Sequence, residues 1–184
     1  MQLTNSPGKY GTISISLHWL MFLLLVAVYA CIELRELYPK GSEPREALKT
    51  WHFMLGLTVF LLVWFRVITR LVQQTPIIKP LPNLWLRLGA KITHLALYLL
   101  MIGMPIGGWL ILSGEGKAIP FYGLSLPALI AENKHTAEFI ENIHKTVGTV
   151  GYYLIGLHAL AAIFHHYLIK DNTLRRMLPG KSTR

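Results

Sequence analysis

The chain has 184 residues, of which 53% are hydrophobic and 15% charged, with a formal net charge of +9 and a mean hydropathy of +0.43. Soluble domains carry about a quarter charged residues, so the composition argues against an ordinary soluble fold and favours a membrane protein. The basic residues cluster beside apolar segments, as in membrane proteins, so we expect no nucleic-acid partner.

Four long apolar windows predict an all-α membrane protein, a four-transmembrane-helix bundle in a single domain of residues 1–184. We expect the helices at about residues 13–32, 53–71, 92–112 and 146–169. The first window is not a signal peptide, because its apolar run is too long and no small-residue cleavage site follows it. The single cysteine, Cys31, excludes an internal disulfide and a cysteine-ligated iron–sulfur cluster.

Charges in the connections predict the orientation of the helices. Residues 66–91 hold five bases and no acid, whereas residues 113–142 hold more acids than bases. The tail after residue 169 also carries an excess of bases, which we interpret as a topology signal and lipid anchor: Lys170, Arg175, Arg176, Lys181 and Arg184. The positive-inside rule therefore places both termini in the cytoplasm.

The segments outside the apolar windows are expected to be irregular. The first twelve residues contain Pro7 and two glycines, which predicts a loosely held lead. Residues 73–83 contain three prolines, which predicts a stiff linker. Residues 124–130 are apolar enough to lie on the membrane surface, and His135 reads as an exposed loop histidine.

Histidines stand out inside the apolar windows. The last window has no acid and carries His144 just before it and His158 within it, 14 residues or nearly four helical turns apart on one face. Gly148 and Gly151 lie between them, so the shared face has little bulk. Ionisable groups at membrane depth are costly and usually functional. This pattern suits a helix that lends one axial ligand to each of two flat macrocycles.

Ligands of one macrocycle must lie at the same depth, and counting residues from the charged ends of the helices pairs the histidines. His52 pairs with His144 at the outer end, and His18 pairs with His158 farther in. Two bis-histidine irons with no open position favour electron transfer. The alternative is a metal or proton transporter, although the apolar windows carry no Asp or Glu.

Four further residues gather near the predicted inner ends of the helices. The count places His94 and His165 closer to the cytoplasmic surface than the ligand pairs. Arg66 and Arg70 lie one turn apart on one face of helix two. All four are candidates to contact a quinone or haem propionates, and the alternative is snorkelling toward the membrane surface.

Several motifs resemble one known family nearly end to end. They are Ser16-Leu-His18-Trp19, Gly156-Leu-His158-Ala159, His165-His166-Tyr167 and Lys170-Asp171-Asn172-Thr173-Leu174. The chain resembles the bacterial cytochrome b561 family. The resemblance implies a multi-pass protein of the bacterial inner membrane with two haem b groups. It places the axial ligands of the haem irons at His18, His52, His144 and His158.

The resemblance also implies a quinone-linked electron carrier, since one branch of that family passes electrons from superoxide to ubiquinone. We therefore expect an oxidoreductase whose donor is superoxide or a redox protein and whose acceptor is ubiquinone. The alternative is a cytochrome b membrane-anchor subunit that relays electrons for a partner dehydrogenase or hydrogenase, because the same bundle serves both roles.

Overall fold

The computed structural model describes residues 2–180, so Lys181 and Arg184 of the predicted basic tail lie outside the described residues. Four helices are long and apolar enough to cross a membrane: α1 Thr12–Leu34, α2 Glu43–Val72, α3 Leu84–Gly114 and α4 Lys134–Phe164. The predicted all-α, four-helix membrane fold is confirmed. The cytoplasmic location of the termini stays a prediction.

Three of the helices begin about two or three turns earlier than their apolar windows predicted. The first turn of α4 is mostly polar, and both α3 and α4 begin at amino-terminal caps. The Oδ1 atoms of Asn83 and Asn133 each accept a 3.0 Å hydrogen bond from a backbone N–H in the first helical turn. His135 therefore lies in the first turn of α4, exposed but helical, and its prediction as a loop residue was wrong.

Contacts between residues divide the described chain into two compact units. Residues 2–20, 64–98 and 151–180 form the terminal unit, which contains both described chain ends. Residues 21–63 and 99–150 form the hairpin unit.

A two-stranded hairpin follows α3 in the hairpin unit, with β1 Ile119–Phe121 antiparallel to β2 Leu124–Leu126. Tyr122 and Gly123 make its turn with φ angles of 46° and 86°, as a two-residue hairpin requires. Ile119 packs with apolar side chains of α2 and α3 in a small core. The predicted surface segment 124–130 thus begins as a strand of a folded hairpin.

Hydrogen bonds tie the amino-terminal segment of the terminal unit to residues 73–83, which lie outside the helices as predicted. The backbone N–H of Asn5 donates to the Gln73 side chain at 2.9 Å, and the backbone N–H of Ile77 donates to the Pro7 carbonyl at 2.8 Å. The prediction that the first twelve residues are loosely held was wrong, because their backbone groups form hydrogen bonds with residues about 70 positions away.

The tail after α4 is also folded into the terminal unit. A π-helical turn, His165–Ile169, ends at Lys170 with φ 57°, and a 3-10 turn follows at Arg175–Met177. Arg176 is 7% exposed, donates to the Pro76 carbonyl and lies over the Tyr10 ring at 5.5 Å. Arg176 is therefore a buried structural cation, which corrects its interpretation as part of a lipid anchor.

Candidate functional site

The terminal unit brings three histidines together from three helices. His18 of α1 and His158 of α4 have ring centroids 6.1 Å apart at an interplanar angle of 67°. His94 of α3 lies against the same His158 ring at 5.4 Å. The pairing of His18 with His158 by depth thus agrees with the arrangement in space.

The depth count separated His94 from this pair, whereas the structure places His94 beside His158. For α4, the residues were counted from Glu141, which was taken as the charged outer end of the helix. Because α4 begins at Lys134, Glu141 lies about two turns inside the helix, and levels measured from it are displaced.

Arg66 of α2 contacts His18 directly. Its Nη2 donates a 3.1 Å hydrogen bond to His18 Nδ1, and the Trp19 ring packs edge-on against His18 at 5.4 Å. The Trp19 indole N–H in turn donates to the Met177 carbonyl at 2.8 Å. The folded tail therefore supports the surroundings of His18, a connection that sequence reasoning missed because the partners are 158 residues apart.

The hairpin unit contains the second pair. His52 of α2 and His144 of α4 have ring centroids 6.3 Å apart at an interplanar angle of 71°. His52 Nδ1 lies 3.0 Å from the Val28 carbonyl oxygen of α1. Since a carbonyl only accepts, Nδ1 must carry the ring proton. This bond leaves Nε2 as the bare nitrogen that can bind a metal.

Two glycines of α3 lie so close to the His144 ring that there is little room for a side chain. A Cβ at Gly107 would lie 3.2 Å from His144 Nδ1, and one at Gly108 would lie 3.7 Å from Cε1. His144 Nδ1 is buried and has no hydrogen-bond partner among the described residues. Gly107 and Gly108 face a histidine of the next helix, a contact that we did not predict from the sequence.

The remaining predicted contacts lie at separate positions. The Arg70 guanidinium lies 6.0 Å from the Tyr98 ring centroid. His165 Nδ1 donates to the fully buried Asp171 carboxylate at 2.5 Å, and the backbone N–H of Thr173 donates to the same carboxylate at 2.8 Å. Burial raises the pKa of Asp171, but these hydrogen bonds outweigh burial and hold it below the usual range.

The two pairs fit an iron macrocycle bound between imidazoles. Two metal–imidazole bonds of about 2 Å, together with the ring half-widths, separate the ring centroids by roughly 6 Å. The observed separations of 6.1 and 6.3 Å match this requirement. Within residues 2–180 no group of three or more His, Cys, Asp or Glu side chains is arranged to hold a metal ion. The pairs therefore suit a group that brings its own equatorial donors.

Comparison with known proteins gives consistent matches along the whole chain. The model of the family described as prokaryotic cytochrome b561 matches residues 9–180. The chain is 36% identical over 174 residues to Cytochrome b561 homolog 1 of Escherichia coli (strain K12), covering 95% of this chain and 99% of the relative. It is 38% identical over 173 residues to Probable superoxide oxidase CybB of Yersinia pestis, covering 94% and 97%. Cytochrome b561 homolog 2 of Escherichia coli (strain K12) is 33% identical over 193 residues, covering 100% and 97%.

Proposed function

Because the chain belongs to the prokaryotic cytochrome b561 family, as its motifs predicted, we propose that it binds two haem b groups and passes electrons from superoxide to ubiquinone. Family membership makes it a multi-pass bacterial membrane cytochrome that binds haem b and transfers electrons. The number of haems, the donor and the acceptor belong to the proposal, as do the inner membrane and the cytoplasmic termini.

One observation carries the proposal: each unit holds one histidine pair at the spacing of a bis-imidazole iron site. We assign His18 and His158 as the axial ligands of one haem, and His52 and His144 as those of the other. Bound haem supplies one-electron chemistry. The chain fixes the ligands, orients their rings and excludes water from the site.

Local contacts prepare these residues for the role. The Val28 carbonyl fixes the tautomer of His52, and Gly107 sets the position of the His144 ring. If His18 binds through Nε2, its ring proton lies on Nδ1, which then no longer accepts from Arg66. The Arg66 guanidinium would need another acceptor, and a propionate carboxylate provides one. We propose the same propionate role for Arg70, one turn along α2.

Ubiquinone reduction requires two electrons and two protons, so the acceptor needs proton donors as well as a haem. Oxidising two superoxide ions to dioxygen supplies the two electrons. In the terminal unit, His94 lies beside His158, and His165 is oriented by Asp171. We propose that these two imidazoles contact the quinone or deliver its protons. Similarity to the probable superoxide oxidase of Yersinia pestis supports superoxide as the donor.

The first test is a reduced-minus-oxidised visible spectrum of the purified chain, with haem counted per protein. We expect two low-spin b haems. His52→Ala and His144→Ala should each remove one haem, and His18→Ala and His158→Ala should each remove the other. His135→Ala, in the exposed first turn of α4, is the control and should retain both. A colourless protein produced with ample haem would refute the assignment.

The second test follows electrons from donor to acceptor. The purified protein in lipid vesicles should oxidise superoxide and form ubiquinol at a ratio of two to one, and the four ligand variants should lose this activity. A protein that holds two haems but forms no ubiquinol from superoxide would limit the function to electron transfer for another donor.

A further inference from the structure

The two histidine pairs differ in the balance of positive and negative side chains around them. Arg66 acts electrostatically on the rings of His18, His94 and His158, whereas Arg70 and Arg176 act on His94 alone. No carboxylate acts on these three rings among the described interactions. Asp171 acts on Arg176 and offsets its charge. Arg66 therefore acts on both rings of the His18–His158 pair, and no carboxylate side chain among the described interactions offsets it there.

The His52–His144 pair lies in a more balanced field. Arg35 acts on His52, and Glu141 acts on His144 with the opposite sign. Both groups are also paired locally. Arg35 Nε lies 3.1 Å from a Glu36 carboxylate oxygen, and Lys145 Nζ lies 2.7 Å from a Glu141 carboxylate oxygen. The Glu36 carboxylate also accepts from Arg45 Nη2 at 2.9 Å. One cation and one carboxylate therefore act on the rings of this pair with opposite signs.

The neighbours of the two Nδ1 atoms reinforce the difference. The Nδ1 proton of His52 is shared with the Val28 carbonyl, which makes the imidazole a stronger electron donor to a bound metal. A stronger donor stabilises the oxidised metal. At His18 the neighbour is instead the Arg66 cation, 3.1 Å from Nδ1.

We propose that Arg66 holds the reduction potential of the His18–His158 site above that of the His52–His144 site. This inference rests on the two-haem function proposed above. Reduction adds one negative charge to the site, and a nearby cation stabilises that state in a low-dielectric interior. One electron then leaves the His52–His144 site, which is oxidised, and enters the His18–His158 site, which is reduced. No bond is made or broken, and no proton moves in this step.

The order of the potentials is tested with variants that retain a single site. His52→Ala keeps the His18–His158 site, and His18→Ala keeps the His52–His144 site. Potentiometric titration followed by visible absorbance should give the higher midpoint in His52→Ala. We expect at least a tenfold difference in the reduction equilibrium, which is about 59 mV for a one-electron couple. Equal or reversed midpoints would overturn the proposal.

The role of Arg66 is tested in the protein with both sites intact. Arg66→Gln should lower the midpoint of the haem that His18→Ala removes and leave the other midpoint unchanged. Arg66→Lys keeps the charge and should retain most of the difference. Arg87→Gln removes an exposed arginine of the same unit and should change neither midpoint. Unchanged midpoints in Arg66→Gln would refute the role of Arg66.

Haem content separates failure of this inference from failure of the proposed function. A wild-type chain without two haems contradicts the proposed function. Two haems with the wrong order of midpoints contradict only this inference. If Arg66→Gln loses the haem of the His18–His158 site, the single-site variants still decide the order. Arg66→Lys then tests whether the positive charge sets the potential. A midpoint far below the wild-type value in this variant would contradict that role.

Discussion

Gly107 of α3 faces His144 of α4 so closely that a Cβ at position 107 would lie 3.2 Å from the imidazole Nδ1. The glycine is therefore part of the wall that sets the ring position. The contact lies within α3, which continues through Pro105 to Gly114.

Gly107→Ala should displace the His144 ring by a few tenths of an ångström and overpack the site at a cost of about 1 kcal/mol. We expect altered electron paramagnetic resonance g-values for the haem of the His52–His144 site and unchanged values for the other haem. Gly103→Ala is the matched control on the same helix, because no atom lies within 4 Å of its Cβ position. Identical spectra for the two variants would contradict a positioning role for Gly107.

Asp171→Asn should destabilise the terminal unit at neutral pH. The buried carboxylate accepts hydrogen bonds from His165 and Thr173, and an amide satisfies these donors less well. We expect a loss of about 1–3 kcal/mol, measured as a lower midpoint of thermal unfolding in detergent. Glu138→Gln, at an exposed position of α4, should leave the midpoint within error of wild type.

The same variant reports a pH dependence. The pKa of Asp171 lies below its ordinary value, so its charge stabilises the fold above the pKa of the unfolded chain, about 3.9. That contribution is lost as the pH falls through the lower folded pKa. The stability difference between wild type and Asp171→Asn should therefore shrink as the pH falls below about 4. A difference that grows as the pH falls below about 4 would give the wrong sign for this carboxylate.

Arg176→Met should loosen the tail, because it removes the hydrogen bond to Pro76 and the cation over Tyr10. Arg175→Met is the control at the adjacent, exposed position. Thermolysin digestion, which does not depend on arginine, should cut the tail of Arg176→Met several-fold faster than that of Arg175→Met. Equal rates would show that Arg176 does not hold the tail.

Gly123→Ala should weaken the hairpin, since Gly123 has a φ of 86° that alanine adopts only with strain. The expected cost is about 1 kcal/mol. Hydrogen exchange should speed up at β1 and β2 and stay unchanged in the terminal unit. Gly123→Asn tolerates this conformation better and should show a smaller effect.

The membrane helices and the spacing of the histidines could be predicted from the sequence, because both depend on residues close together in the chain. Apolar windows reveal membrane helices, since about 20 residues span the hydrocarbon core. Helical periodicity placed His144 and His158 on one face, and depth counting matched each with the histidine that the structure sets beside it. The start of α4 was harder to predict, because its first turn is mostly polar and depends on the cap at Asn133.

Hydropathy was thus sufficient for four membrane helices, and residue counting for the two proposed histidine pairs. The cytochrome family was indicated by the resemblance of the motifs. Folding alone brought Arg66 to His18, His94 to His158 and Gly107 to His144. It also buried Arg176 against the Tyr10 ring. The charge of this tail had suggested a lipid anchor. The physical reason is that these contacts join residues far apart in the chain. Their geometry depends on how the helices and connecting segments pack, which no local pattern of residues encodes.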